Sequence, residues 1–338
     1  MKALVTGATG FLGSVLLTEL ALAGERAVRC FVRPGPKGTR LDALARAHPD
    51  AGFEPFVGTL TSQDDAIRAI EGVDVVYHLA AGLTGAAADL FLHTVVASKN
   101  LLEAVVRARK PPRVVLVSSF GVYGVAALDR GATIDESTPL EDHPERRDLY
   151  SQAKLRQERL FREYHARHAF PLTVVRPGVI YGPGGSPIST RVGLSLFGVF
   201  LHLGGNNILP LSYVENCAQA IVLAGRTARA VGETYNLVDD DLPTCREYLR
   251  LYRAQVKPLR TVPLPYPVTL AMSRLVERYH AFSRGQLPAV FTPYKTATQW
   301  GGNEFDNSKI KALGWKQAVP TEEGIRRTFA SLRESSHR

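Results

Sequence analysis

Cysteine is scarce: the 338 residues hold three, Cys30, Cys217 and Cys245. They stand far apart and without metal-ligand spacing, which excludes a disulfide framework and a zinc site and fits a reducing cytosol. Long apolar runs are missing too. The most apolar later segments, Val192 to Leu203 and Pro265 to Leu275, are too short or too interrupted to span a bilayer. The first strand signal starts within three residues of Met1, leaving no room for a cleavable leader, so a cytoplasmic protein is expected. There is no basic block with interleaved aromatics, no internal repeat and no low-complexity segment. The balance of 41 Lys and Arg against 32 Asp and Glu, +9, is therefore assigned to a solvated surface and an anionic cofactor rather than to nucleic acid.

What is present is an ordinary globular composition, 45% apolar and 22% charged, in a chain long enough for one large core with a smaller lobe. It opens MKALVTGATGFLGSVLLTELALA. Ala3 to Val5 form a short apolar run of the kind a parallel strand buries on both faces. Gly7, Gly10 and Gly13 then lead into an amphipathic helix that Gly24 can end. Gly7 lets the chain leave the strand, Gly10 lets an anion approach the backbone, and Gly13 lets helix and strand pack closely. The amides near Phe11 and Leu12 face that anion from the positive end of a helix dipole. The spacing is GxxGxxG rather than GxGxxG. Its place between a strand and a helix, followed by a second strand at Ala27 to Val32, makes it a phosphate-binding turn.

After Val32 comes a turn-rich loop whose first acidic residue is Asp42. An NAD-preferring site of this type carries Asp or Glu at that strand end to accept from the ribose 2′-hydroxyl. Here Arg33 stands instead, with Lys37 or Arg40 in support, which suits the 2′-phosphate of NADP, with NAD as the other cofactor. Further strands are expected at Phe53 to Val57, Asp74 to Leu79, Arg113 to Val117 and Leu172 to Val175. Helices are expected at Asp64 to Ile70, Ala86 to Arg109 and Leu149 to His168. The alternation implies an α/β fold, a doubly wound parallel sheet of Rossmann type over residues 1–180. Residues 181–338 read mostly as a smaller C-terminal substrate lobe, interleaved with the last sheet strands, with helices at Tyr213 to Ala224, Cys245 to Tyr252 and Thr321 to Arg333.

Tyr150 and Lys154, four apart in RDLYSQAKLRQERL, project from one face of a helix. An ammonium beside a phenol lowers its pKa and lets it act as acid or base. Ser118 and Ser119 end a strand in VVLVSSFGVYG, where a hydroxyl can donate to a substrate oxygen. In order, TGATGFLG, HLAAG, NLLEA, LVSSFGVYG, YSQAK and RPGVIYGPG resemble the extended short-chain dehydrogenase/reductase family, nearest the 3β-hydroxysteroid dehydrogenase and dihydroflavonol reductase branch. LSYVENCAQAI and FDNSKIKALGW carry the likeness into the second lobe.

The resemblance implies an enzyme in which Tyr150 donates or accepts the proton, Lys154 tunes it and holds the nicotinamide ribose, and Ser119 orients the substrate. It places Gly7, Gly10, Phe11, Leu12 and Gly13 around the pyrophosphate. It sets Ala80, Ala81 and Ser118 along the cofactor, and Pro177 and Val179 beside the nicotinamide. Thr59 and Leu60 lie where the family contacts adenine, with Thr59 in place of an aspartate. Thr94 replaces a family asparagine that serves backbone geometry or a proton relay. No metal is implied, and the partners are a small-molecule substrate and, as in similar proteins, a second copy of the chain paired through helices.

Phe120 and Gly121 stand where the resembling dehydratases carry Asp-Glu, which removes dehydration. Val179 replaces an asparagine that sugar-nucleotide epimerases use. With Phe197, Phe200 and Leu201 as candidate walls, a lipophilic alcohol or ketone is the expected substrate. The alternatives are a nucleotide-sugar epimerase and a non-catalytic dinucleotide-binding regulator. His78 and His202 read as packed histidines. Pro265 to Tyr279 reads as a helix packed on the core, with an amphipathic lid or membrane-touching helix as the other reading.

Overall fold

In a computed structural model, which describes residues 1–35, 38–83, 85–283 and 291–336, the apolar runs of the first half become adjacent strands of one sheet. They are β1 (Ala3–Thr6), β2 (Val28–Val32), β3 (Phe53–Val57), β4 (Val75–His78) and β5 (Arg113–Val117). A two-residue strand, β6 (Thr133–Ile134), lies apart, and β7 (Leu172–Pro177) rejoins the sheet. Between them run α1 (Phe11–Leu22), α2 (Gly38–Ala47), α3 (Gln63–Ile70), α4 (Ala87–Phe91), α5 (Ala97–Arg107) and α6 (Leu149–His168). The strand order is β3, β2, β1, β4, β5, β7 and then Thr234–Leu237, all parallel.

β1 and β4 are buried along their whole length, as strands covered on both faces must be. On one face Leu16, Leu17 and Leu20 of α1 meet Ile221 and Ala224 of α7 (Val214–Arg226). On the other, Ala66, Leu101, Val105 and Phe161 from α3, α5 and α6 form a second cluster. The chain reverses direction across the sheet between β1 and β4, so a crevice opens beyond their carboxyl ends, where ligands of such sheets bind.

Three differences from the sequence reading matter. The loop after Val32 contains α2, hidden by the Pro- and Gly-rich run leading into it, although its Leu41 is buried in the core. The seventh strand comes from Thr234–Leu237, four residues whose pairing with β7 no local pattern announces. The helix expected over residues 86–109 is interrupted by a π turn at Leu92–Val96.

The second lobe has its own cluster, with Tyr181, Tyr213, Tyr248 and Phe329 at its centre. Val192 to Leu203 is a hairpin, Gly193–Leu196 paired with Val199–His202, and Thr261–Pro263 extends its sheet. Phe197 sits at the hairpin tip with φ +48° and is 96% exposed.

Candidate active site

The glycine turn is as tight as its composition requires. Gly7 has φ +73°, and a Cβ there would lie 3.1 Å from the Ala80 nitrogen. A Cβ on Gly13 would fall 2.1 Å from the Gly7 carbonyl oxygen. Gly10 donates its amide to that same oxygen at 3.0 Å. The result is a cradle that side chains would fill, at the N-terminus of a helix with no acidic residue in its first turn. These residues fit a dinucleotide pyrophosphate.

The cradle opens into a cavity of about 1150 Å³. Gly7, Gly10, Phe11, Leu12, Gly13, Arg33, Thr59, Leu60, Ala80, Ala81, Ser118, Ser119, Tyr150, Lys154, Pro177 and Val179 all line it. Arg33 is exposed at its rim, and among the described residues no carboxylate pairs with it. Lys37 lies outside the described residues. Thr59 is fixed by its amide, which donates to Asp65 Oδ2 at 2.8 Å.

Thr94 does not line the cavity. It is fully buried in the π turn, where its Oγ1 accepts the Gly82 amide at 2.9 Å. It therefore acts on the cavity wall through the backbone of Gly82.

At the chemical end, α6 presents Tyr150 and Lys154 one turn apart, started by Asp148, whose Oδ1 caps the Ser151 amide at 2.9 Å. Such a cap stabilises a helix start by about 1 kcal/mol. Ser119 ends the extended segment after β5, and its Oγ accepts the Gly121 amide at 3.1 Å.

Electrostatics depart from the expected phenol–ammonium pair. Burial pushes the Tyr150 phenol up, the Ser119 hydrogen bond pulls it partly back, and the Asp148 charge raises it again. The Lys154 ammonium is itself pushed down, to about 7, by burial, against the raising effect of Glu158. Its Nζ donates to the Val117 carbonyl and to Gln157 Oε1, each at 2.7 Å. A charge held by those partners leaves burial as the larger influence on the phenol.

Behind the lysine lies a buried chain whose donor directions can be deduced. Gln157 Oε1 accepts from Lys154, and its Nε2 donates to Ser98 Oγ at 2.8 Å. The single Ser98 hydroxyl proton goes to the Thr94 carbonyl at 2.5 Å. His78 Nε2, 2.9 Å from Ser98 Oγ, is therefore the donor, and its Nδ1 accepts from Thr6 Oγ1 at 2.8 Å. Burial, reinforced by the Lys154 charge, pushes His78 down to about 3, so it stays neutral. The expectation of a packed histidine holds, and Gln157, whose Nε2 also donates to the Ala80 carbonyl at 3.4 Å, ties the cofactor-facing segment at residues 80–82 to the lysine.

Ser118 faces inward and donates to Glu158 Oε2 at 2.6 Å. Arg176 holds the same carboxylate through Nε at 3.1 Å and a terminal nitrogen at 2.5 Å. The Arg176 guanidinium lies 4.6 Å from the Tyr123 ring centre. This ion pair braces β7 against α6.

The expected apolar walls fall elsewhere. Phe197 points away at the hairpin tip, Phe200 is packed in the lobe core, and the cavity takes Leu194 from that hairpin instead. A turn at residues 197–198 reverses the chain, which a run of apolar residues cannot reveal. Phe291, Trp300 and Gln299, the last two on the helix Pro293–Trp300, complete this end, together with Arg191. Burial brings the Arg191 guanidinium down to about 10. Sequence reasoning missed Gln157, although it stands three residues after Lys154 and seven after Tyr150 on one helical face. His202 is packed, its Nδ1 2.9 Å from the Val192 carbonyl oxygen.

Comparison with known proteins gives a consistent picture. A family model described as the NAD dependent epimerase/dehydratase family matches residues 3–237. The "uncharacterized UDP-glucose epimerase YtcB" of Bacillus subtilis is 28% identical over 256 residues, covering 70% of this chain and 76% of its own. The 2-alkyl-3-oxoalkanoate reductase of Shewanella oneidensis is 26% identical, covering 98% and 86%. A 3-beta-hydroxysteroid dehydrogenase of Mycolicibacterium neoaurum is 29% identical, covering 74% and 68%. Among solved structures, gox2253 superposes with a TM-score of 0.81 at 24% identity, over 99% of this chain and 98% of that one.

Proposed function

The chain belongs to the NAD dependent epimerase/dehydratase family, an NAD(P)-dependent group of extended short-chain dehydrogenases/reductases, and from that premise we propose that it reduces a carbonyl on a lipophilic substrate, preferring NADP. The observation that carries this reading is that Ser119 and Tyr150, whose phenol burial pushes up, both line the cavity that the glycine turn opens.

A phenol of raised pKa is protonated at neutral pH, so Tyr150 is set to donate to an oxygen. Ser119 holds that oxygen, and its own Oγ is fixed by the Gly121 amide. Lys154 lies between the Val117 carbonyl and Gln157, placed to hold the ribose and to offset the phenolate that forms. The dinucleotide, when bound, supplies the hydride. Gly7, Gly10, Phe11 and Leu12 hold its pyrophosphate, Thr59 and Leu60 its adenine end, Ala80, Ala81 and Ser118 its flank, and Pro177 and Val179 its nicotinamide. Arg33 supplies the cation for a 2′-phosphate. Thr94 serves as a support that fixes Gly82.

Leu194, Phe291 and Trp300 favour an apolar substrate body, and the name of the Shewanella relative is that of a reductase. A second reading, epimerisation of a nucleotide sugar, is favoured by Arg191 in the cavity, where a guanidinium suits a diphosphate, and by the name of the Bacillus relative. A screen of hydrophobic ketones and alcohols, followed by NADPH absorbance, tests the proposal. Turnover of a ketone supports it, and silence across the panel together with conversion of a UDP-sugar overturns it.

A further inference from the structure

The helix Tyr266–Phe282 is inside out. Its two buried residues are Thr269 and Ser273, whose hydroxyls are satisfied within 3.4 Å by carbonyls of their own segment. Val268, Met272, Leu275, Val276, Tyr279 and Phe282 are exposed, Leu275 to 64% and Phe282 to 85%. At 100° per residue these six positions fall in one stripe roughly 120° wide. Solvent-exposed stripes of this kind mark surfaces that something else covers.

Two observations say what covers it. A second exposed apolar element lies nearby: Thr261–Pro263, just before the helix, pairs with Val199–His202 of the hairpin that carries Phe197 and Leu196, 96% and 50% exposed. Charge is concentrated in the same stretch. Residues 245–283 hold seven Lys and Arg against two Glu, a local +5 within a chain of +9. Arg246, Arg250 and Arg253 are exposed on the helix Cys245–Gln255, Lys257 and Arg260 precede the strand, and Arg274 and Arg278 flank the stripe itself. None of the seven forms an ion pair among the described residues. Two copies meeting through this stripe would bring Arg274 and Arg278 of each against those of the other, whereas an anionic surface with an apolar interior matches both the stripe and the charge of the stretch.

We propose that the helix Tyr266–Phe282 and the hairpin tip at Phe197 seat the protein on an anionic lipid bilayer, the apolar stripe entering the headgroup boundary and the arginines meeting lipid phosphates. The helix packs against Pro293–Trp300, which lines the cavity, so the seated face lies beside the substrate end. The docking claim stands apart from the reaction assigned above.

Co-sedimentation of the full-length protein with vesicles of phosphatidylcholine and phosphatidylglycerol in equal parts, against pure phosphatidylcholine, tests it. Binding to the anionic vesicles is expected, at least tenfold weaker on the neutral ones and weakened by salt. Leu275→Ser with Phe282→Ser should lower it tenfold or more while the thermal unfolding midpoint stays at the wild-type value. Arg274→Gln with Arg278→Gln should remove most of the anionic preference. Absence of binding to anionic vesicles overturns the proposal. So does a concentration-dependent dimer, seen by sedimentation equilibrium, that Leu275→Ser abolishes, since the face would then join two copies of this chain.

Discussion

Lys154 donates from Nζ to Oε1 of Gln157 at 2.7 Å, so the amide one turn along α6 holds the ammonium while burial works to discharge it. Replacing Gln157 by Leu removes an acceptor from the charged form and should lower the lysine's pKa below its present value of about 7; Gln157→Glu adds a negative charge and should raise it. If the ammonium is the active form, the descending limb of kcat/KM against pH moves to lower pH in the first variant and to higher pH in the second. Limbs that move together, or not at all, would contradict the assigned coupling.

Arg33 is exposed at the cavity rim, with no carboxylate paired to it among the described residues. Arg33→Ala should weaken NADP by roughly ten- to a hundredfold, the worth of a hydrogen bond to a charged group, and leave NAD nearly unchanged. Titration of both dinucleotides reads the difference, and an unaltered preference returns Arg33 to the solvent.

The Glu158 carboxylate is raised by burial, yet the hydrogen bonds and charge of Arg176, with help from Ser118 and Arg162, outweigh that and hold it below its ordinary range. A depressed folded-state pKa contributes stability that is present above the unfolded value of about 4.5 and is lost as pH falls through the folded one. Arg176→Ala strands this buried charge and should cost about 3–5 kcal/mol. Denaturant titration at neutral pH should show that loss, and should show it shrinking toward acid pH; a variant as stable as wild type at neutral pH would mean the pair is not a brace.

Gly13 has no room for a side chain. Gly13→Ala puts a methyl against the Gly7 carbonyl oxygen, so dinucleotide affinity should fall and the thermal midpoint drop. Wild-type affinity in calorimetry would show that the turn yields freely.

Much of this was legible in the sequence because it rests on local rules. The glycine turn, the apolar runs at β1, β4 and β5, and the spacing of Tyr150 to Lys154 each follow from backbone sterics or helical period. What was not legible depends on distant partners. Thr234–Leu237 is a strand because β7 lies waiting beside it, and Trp300 lines the cavity because the lobe folds its helix back. Phe197 and Phe200 sit three residues apart in one apolar run, yet one is bare at a turn and the other is packed in the lobe core. The helix from Tyr266 shows the limit best: its apolar positions pointed to core packing, and the structure buries its threonine and serine instead. Periodicity identifies a stripe without saying which side of the helix the protein takes.

The central claim is that Tyr150 protonates a carbonyl oxygen as it is reduced. The most direct measurement follows deuterium from C4-labelled NADPH into an alcohol product by mass spectrometry, for the wild type and Tyr150→Phe. The account predicts label in the alcohol, lost by about 10²- to 10⁴-fold in the variant whose NADPH affinity is unchanged. Equal label transfer by both proteins would contradict it.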